Sequence, residues 1–276
     1  MIRQPTLFLP HGAGPCFFME WHPSDTWGRH RAFLEDLSSG LPACPKALLV
    51  ISAHWEATTF TLQKNTTPGL LFDYFGFPAH TYQLDWPAPG DPGLAERTAA
   101  LLQAAGLDAD FDEKRGFDHG VFVPLKIAFP EADIPCVQLS LHAGLESKLH
   151  LSAGAALAPL RDEGVLIIGS GNSFHNMRVL MAGMREHMGG ATGREFDDWL
   201  THTVIQSDPQ ERNRRLACWA EAPGARHAQP REEHLAPLFV IAGAAGDDLG
   251  RKTFEDEVLG AVESAFQFGE GCRNSC

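Results

Sequence analysis

Lys46-Ala-Leu-Leu-Val-Ile-Ser-Ala-His-Trp-Glu56 is the stretch that decides the fold. From Ala47 to Ser52 every residue is apolar or small. A short apolar run of this kind predicts a strand covered on both faces by other elements. The run gives way to His54, Trp55 and Glu56, so the strand is expected to end at His54. An ionisable residue at the carboxyl end of a buried strand is where α/β proteins place their chemistry. Two other stretches share the plan. Thr6-Leu-Phe-Leu-Pro10 runs into His11-Gly-Ala-Gly-Pro15, and Val165-Leu-Ile-Ile-Gly-Ser170 runs into Gly171-Asn-Ser-Phe-His175. Three buried strands that each deliver a histidine past their ends predict an α/β fold. The expected architecture is a single domain over residues 1–276, with a central, mostly parallel twisted sheet flanked by helices. A metal site is expected at the strand carboxyl ends.

Around these strands the remaining elements fall into place. Gly12 and Gly14 suit a tight turn after strand one. Trp27 to Leu37 has the pattern of an amphipathic helix closed by Ser38-Ser-Gly40 and Pro42. Thr58 to Gln63 reads as a strand from its β-branched residues. Asp73 to Pro92 has no regular pattern and carries four prolines after Phe77, yet it is rich in aromatic residues. A long irregular segment of that composition is too apolar for disorder. It reads as a lid or wall over an aromatic ligand, with Phe77 and Tyr82 as candidate contacts, or as cover for a sheet edge. Pro92 to Ala105 is a predicted helix with Asp91 at its N-cap. Gly116-Phe-Asp-His-Gly120 is a predicted turn, in which His119 would be held by the adjacent Asp118. Ile134–Leu139 is a predicted strand, and Leu145–Leu160 a helix with Pro159 at its end. Thr192–Gln206 and Pro209–Ala220 read as helices. A helical period then runs from Arg231 to Ala245 and places His234 near its start, on one face with Leu238 and Ile241.

Composition excludes several classes. The chain has 276 residues, 44% of them hydrophobic, enough for one large core. Its 22 basic and 35 acidic side chains give a net charge of −13, which repels phosphate backbones and anionic lipid. No nucleic acid and no membrane is expected as a partner, and no apolar run is long enough to span a bilayer. The first residues lack the basic-then-apolar pattern of a signal peptide. The six cysteines, at 16, 44, 136, 218, 272 and 276, form no CxxC pair, which fits reduced thiols in a cytoplasmic protein. Cys272 and Cys276 carry no assigned role. A homo-oligomer is neither required nor excluded.

Thirteen histidines stand beside two tyrosines. Taken singly, each histidine near the site has an ordinary structural reading, as a turn residue or a core residue. A cluster of neutral imidazoles without cysteine partners suits Zn(II) or Fe(II) in an open site. Glu56, Asp118, Glu232 and Glu233 compete for a carboxylate position in the shell, and spacing alone does not choose among them. Gly169-Ser-Gly171 is neither a dinucleotide fingerprint nor a nucleophile elbow.

Six blocks, in order, resemble the class III extradiol ring-cleaving dioxygenases, in particular the 4,5-DOPA dioxygenase branch. They are His11-Gly-Ala-Gly-Pro15; Ser52-Ala-His-Trp-Glu56; Tyr74-Phe-Gly-Phe-Pro78 with Tyr82-Gln83 and Pro87 to Pro92; Phe117-Asp-His-Gly-Val-Phe-Val-Pro-Leu125; Gly169-Ser-Gly-Asn-Ser-Phe-His175; and Arg231-Glu-Glu-His-Leu-Ala-Pro-Leu238. The resemblance covers nearly the whole chain. It implies that His11, His54 and His234 are metal ligands, that His175 is the acid/base residue, and that His119 is a second active-site histidine bordering bound oxygen. In the related protocatechuate branch a glutamate takes the third ligand position, so His234 departs from the two-His-one-carboxylate pattern.

The implied activity is extradiol cleavage of a DOPA-like catechol by dioxygen at Fe(II). Three histidines also suit Zn(II), and His175 is then a fourth-ligand candidate in a resting zinc form. The competing readings are a zinc-dependent hydrolase using metal-bound hydroxide and a non-enzymatic binding protein of the same fold. The retention of all five histidines speaks against the last.

Overall fold

The computed structural model describes residues 2–186, 192–206 and 208–271. Cys272 and Cys276 lie outside them. Eight strands form one sheet: β1 Thr6–Pro10, β2 Ala47–Ala57, β3 Phe60–Gln63, β4 Ala109–Asp112, β5 Cys136–His142, β6 Val165–Gly171, β7 Gly250–Val258 and β8 Ala261–Phe268. The order is β4-β3-β5-β2-β6-β1-β8-β7. The central block β5-β2-β6-β1 is parallel throughout, as is the β3–β4 pair. The β1–β8, β7–β8 and β3–β5 pairs are antiparallel.

The apolar runs explain the centre of the sheet. Every residue of β1 and β6, and residues 47–53 of β2, is buried. Both faces are covered, and the core divides accordingly into two clusters. One joins Leu49, Ile51 and Ile167 to Leu94, Leu151 and Phe239. The other joins Leu48, Val50 and Ile168 to Leu34, Val121 and Phe122. Alternate residues of one strand thus feed opposite cores. The helices are α1 Gly28–Glu35, α2 Pro92–Ala104, α3 His119–Ala128, α4 Ser147–Leu157, α5 Pro159–Asp162, α6 Met177–Glu186, α7 Arg194–Val204, α8 Pro209–Ala217, α9 Ala225–Ala228 and α10 Ala236–Ala245. Helices α2, α4 and α10 supply the first cluster; α1 and α3 supply the second. Helix α10 is buried all round, as its apolar sequence demands. Among the described residues no helix is long and apolar enough to cross a membrane.

Some expectations need correction. Strand β2 does not end at His54. Its pairing with β5 breaks between Ile51 and Glu56, then resumes with Glu56 opposite Leu141 and Ala57 opposite His142. This irregularity re-aims side chains without terminating the strand, the usual effect of a β-bulge. The apolar run after Gly120 forms helix α3, which begins at His119. The predicted helix to Leu160 is broken before Pro159 into α4 and α5. The helix predicted from Arg231 starts only at Ala236, because Pro237 is suited to a first turn and lacks the N–H an interior position would need. His234 therefore sits in a turn and not on a helix face. Strand β4 and the β7–β8 hairpin are additions that the sequence reading did not contain.

Candidate metal centre

The parallel strands β1, β2 and β6 all point their carboxyl ends to one rim of the sheet, and that rim carries the site. His11 follows β1. Its amide donates to the Gly171 carbonyl at the end of β6, 3.0 Å away. Gly12, with φ of +82°, then turns the chain in the left-handed region. His54 projects from the irregular part of β2. His175 follows β6, and His119 opens α3. His234 arrives from the turn before α10, and its backbone is locked against β6: the Asn172 amide donates to the His234 carbonyl at 3.1 Å. Residue 171 must be glycine for this approach, since a Cβ there would lie 2.1 Å from the same carbonyl oxygen.

The tautomers follow from the hydrogen bonds. The Ser170 hydroxyl donates to the Gly120 carbonyl. Its oxygen is left to accept from His11 Nδ1, 3.1 Å away, so His11 offers an unprotonated Nε2. His234 Nδ1 faces the Glu233 carboxylate at 3.2 Å, which likewise frees Nε2. That Nε2 is buried and has no hydrogen-bond partner among the described residues. His54 turns Nδ1 toward Asp73, 3.7 Å away, and Nε2 toward His11 Nε2, 3.1 Å away. The ligand atoms of His11, His54 and His234 lie within 4.8 Å of one another.

Burial first, then the neighbouring His54, holds the His11 pKa well below the ordinary imidazole value. Burial and His119 do the same at His54. Burial and the adjacent His175 bring His234 down to about 3. All three rings are therefore neutral at pH 7, as metal ligation requires. Facing lone pairs and an orphaned buried nitrogen are costly without a cation. A His11–His54 separation of 3.1 Å also suits two ligands bound at roughly 2.1 Å to one ion. The residues fit a metal.

Two carboxylates organise the surroundings. Asp73 accepts from both the backbone N–H and Nδ1 of His119, at 3.0 and 2.8 Å. Burial alone would raise its pKa, but the His119 hydrogen bond lowers it further. Glu233 lies 3.4 Å from His175 Nδ1 and 3.2 Å from His234 Nδ1. Against the opposing effect of burial, these two imidazoles hold Glu233 far below the usual carboxylate range. The His175 ring stacks on His234 with centroids 3.3 Å apart. A third carboxylate, Glu263 of β8, is buried beneath the loop that leads to His175. It accepts from the Ser173 and Phe174 amides at 3.0 and 3.3 Å and from the Ser173 hydroxyl at 3.3 Å. Burial outweighs these donors and pushes it up to about 8.

The five histidines line a cleft of about 400 Å3. One wall is Trp21, Tyr74, Phe75 and Phe77; the other is the Met177, Leu180, Met181 and Met184 face of α6. Such a cleft accepts a flat aromatic ligand beside a metal.

Residues 5–267 match the family model described as "Catalytic LigB subunit of aromatic ring-opening dioxygenase". The chain belongs to this family of aromatic ring-opening dioxygenases. It is similar to the 4,5-DOPA dioxygenase extradiol of Beta vulgaris, with 39% identity over 94% of this chain and 93% of that one. Dioxygenase tasH of Hapsidospora irregularis is 38% identical, covering 96% and 85%. The solved structure of an uncharacterized protein from Escherichia coli K12 superposes with a TM-score of 0.77 at 29% identity, over 97% of this chain and 100% of that one.

In this dioxygenase the fold brings His11, His54, His119, His175 and His234 together and sets Phe77 in the cleft wall. Tyr82 stands behind that wall. Its ring packs on Tyr74 with centroids 5.2 Å apart, and its hydroxyl accepts weakly from the Phe77 amide at 3.4 Å. His119 is not held by Asp118. That carboxylate is buried between Ser52, Arg115 and Gln138, and Asp73 takes its place. Of the four carboxylates considered from sequence, Glu56 pairs with Arg231 and Glu232 with Arg226. Glu233 alone of the four joins a histidine group that could hold a metal. Asp73, Asn172 and Glu263 were not singled out as functional from the sequence. An acidic residue at the head of the aromatic run is the one sequence signal that could have found Asp73.

Proposed function

We propose that this chain, as one catalytic domain over residues 1–276, is a non-haem Fe(II) extradiol dioxygenase that opens the ring of a DOPA-like catechol. The observation that carries this reading is the set of three neutral histidines, His11, His54 and His234, whose ligand atoms lie within 4.8 Å of one another in the lining of an aromatic cleft. These three would hold the metal, and Fe(II) bound there would supply the redox chemistry that couples an aromatic diol to dioxygen.

The protein residues do the rest. The aromatic wall of Tyr74 and Phe77 orients the ring and excludes water, with Tyr82 bracing Tyr74. His175, held by Glu233, takes a proton from a ring hydroxyl and returns it as the ring opens. His119, fixed by Asp73, would border dioxygen in the loaded enzyme. The balance closes without another reductant: the ring supplies the electrons, one ring bond breaks beside the two hydroxyls, and both oxygen atoms enter the product. The four free thiols among the described residues fit a reducing compartment, and we place the enzyme in the cytoplasm.

The test is an oxygen electrode with the Fe(II)-loaded protein and a panel of catechols. Dioxygen uptake with a yellow semialdehyde product is expected. No uptake with any catechol, combined with ester or amide hydrolysis by the Zn(II)-loaded form, would replace this reading with a zinc hydrolase, which the same donor set also suits.

A further inference from the structure

Strand β2 carries His54 at a point where the sheet lets go of it. The last pair of β2 with β6 is Ser52 opposite Ser170, and its pairing with β5 lapses between Ile51 and Glu56. A metal ligand on such a stretch needs another source of rigidity. Two side chains supply it. The His54 amide donates to the Ser52 hydroxyl oxygen at 3.2 Å. The His54 carbonyl accepts from Arg115 Nη2, also at 3.2 Å.

Both routes end on Asp118. The Ser52 hydroxyl donates to Asp118 Oδ1 at 2.7 Å, and Arg115 Nη2 donates to Oδ2 at 3.0 Å. Gln138 of β5 donates to the same Oδ2. Ser52, Asp118 and Gln138 are fully buried, and the Arg115 guanidinium lies over the Trp55 ring, 4.5 Å from its centroid. Asp118 occupies the N-cap position of α3, where a carboxylate ordinarily accepts from the first-turn amides of its own helix. Here the side chain makes no such bond and serves β2 instead. The space around it is tight: a Cβ on residue 120 would lie 2.6 Å from Ser52 Oγ and 3.1 Å from His54 Cδ2.

We propose that Asp118 is a positioning residue of the metal centre: through Ser52 and Arg115 it fixes the backbone of His54, and with it the direction of the imidazole, and so sets the affinity for the metal. This rests on the reading of His11, His54 and His234 as the ligands. Because Asp118 also opens α3, the same clamp sets His54 against His119, whose ring centroid is 3.9 Å away. A buried ion pair is weak support for a fold, since apolar residues of similar volume often serve stability as well. The use of this one lies in the geometry it imposes on His54. Loss of a group that orients a ligand costs about 10- to 100-fold in metal affinity.

The experiment is a titration of the metal-free protein with Zn(II) against a competing chelator, for wild type, Asp118→Asn and Ser52→Ala. Asparagine matches aspartate in volume but has a single acceptor oxygen, so it cannot serve Ser52, Arg115 and Gln138 together. Ser52→Ala cuts one route and leaves the Arg115–Asp118 pair in place, which keeps the test open if Asp118→Asn does not fold. Each variant should bind Zn(II) about 10- to 100-fold more weakly. The double variant should lose less than the two effects combined, because both act through one chain of contacts. Loading with Co(II) adds a signature: the visible absorption bands of the variants should differ from wild type, since a turned imidazole changes the ligand field. Urea denaturation of the metal-free proteins separates a purely structural role, which lowers stability and leaves the affinity and the Co(II) bands of the folded protein alone. Wild-type affinity with unchanged bands in Ser52→Ala, or in folded Asp118→Asn, overturns the proposal. Wild-type protein that binds no Zn(II), or His54→Ala that binds it as tightly as wild type, would instead sink the ligand reading and the proposal with it.

Discussion

Glu263→Gln isolates one buried carboxyl. Glu263 sits in β8 among Ser173, Phe174 and Asp197, with its pKa pushed by burial from 4.5 to about 8. Between those two values the folded chain keeps a proton that the unfolded chain has released. Stability therefore falls as pH rises through that window, and the loss is complete only above pH 8. A shift of roughly 3.5 units corresponds to about 5 kcal/mol in all, of which about 2–3 kcal/mol falls between pH 6 and pH 8. Glutamine keeps an acceptor oxygen for the Ser173 and Phe174 amides and cannot ionise. The variant should therefore gain stability relative to wild type by about 2–3 kcal/mol on going from pH 6 to pH 8. Urea denaturation of both metal-free proteins at the two pH values measures the difference, and comparison within the pair cancels the other titrating groups. A constant offset between wild type and variant from pH 6 to pH 9 would refute the reasoning. Glu263 would then be ionised throughout, with the three donors from Ser173 and Phe174 dominating its burial.

Three further outcomes are expected. His175→Ala should keep its iron and still bind catechol, while kcat and kcat/KM fall together by about two to four orders of magnitude; His175→Gln should fare no better, and iron loss in proportion to activity loss would make His175 a ligand. His234→Ala should lose the metal altogether, as should His11→Ala and His54→Ala; full metal content in His234→Ala by elemental analysis would move the third ligand to Glu233. Asp73→Asn removes the carboxylate that accepts twice from His119 and faces Nδ1 of His54, and should lower kcat by about 10- to 100-fold in samples matched for metal content; steady-state kinetics equal to wild type would mean that His119 needs no such anchor.

The sheet was legible where sequence and burial speak the same language. Ala47 to Ser52, Thr6 to Pro10 and Val165 to Ser170 are apolar because both of their faces are covered, and the histidines after them mark the open rim. Asp91 and Pro92 announced α2 equally well, since the Asp91 carboxylate does accept from the Leu94 amide. The hairpin was not legible. Strand β8 is buried along its whole length yet contains Glu263, Ser264 and Gln267, polar residues whose partners, Ser173 and Asp197 among them, lie far off in the chain. Strand β7 is a charged edge, with Lys252 and Glu255 half out in solvent, and its composition resembles a loop. The site divides in the same way. Histidines at strand ends can be read singly, whereas Asp73 joins His119 from 46 residues away and Glu233 acts on His175 from 58 residues away, pairings that only the fold creates. His234 was misplaced on a helix because the apolar period hid the meaning of Pro237.

Ring opening under isotopically labelled dioxygen by the Fe(II)-loaded protein, followed by mass spectrometry of the product, tests the extradiol assignment directly. Both oxygen atoms of one dioxygen should enter each catechol, and the ring should open beside the two hydroxyls to give a semialdehyde. A product carrying label in neither position, or a dicarboxylate opened between the hydroxyls, would contradict the assignment of His11, His54 and His234 as the metal shell of an extradiol enzyme.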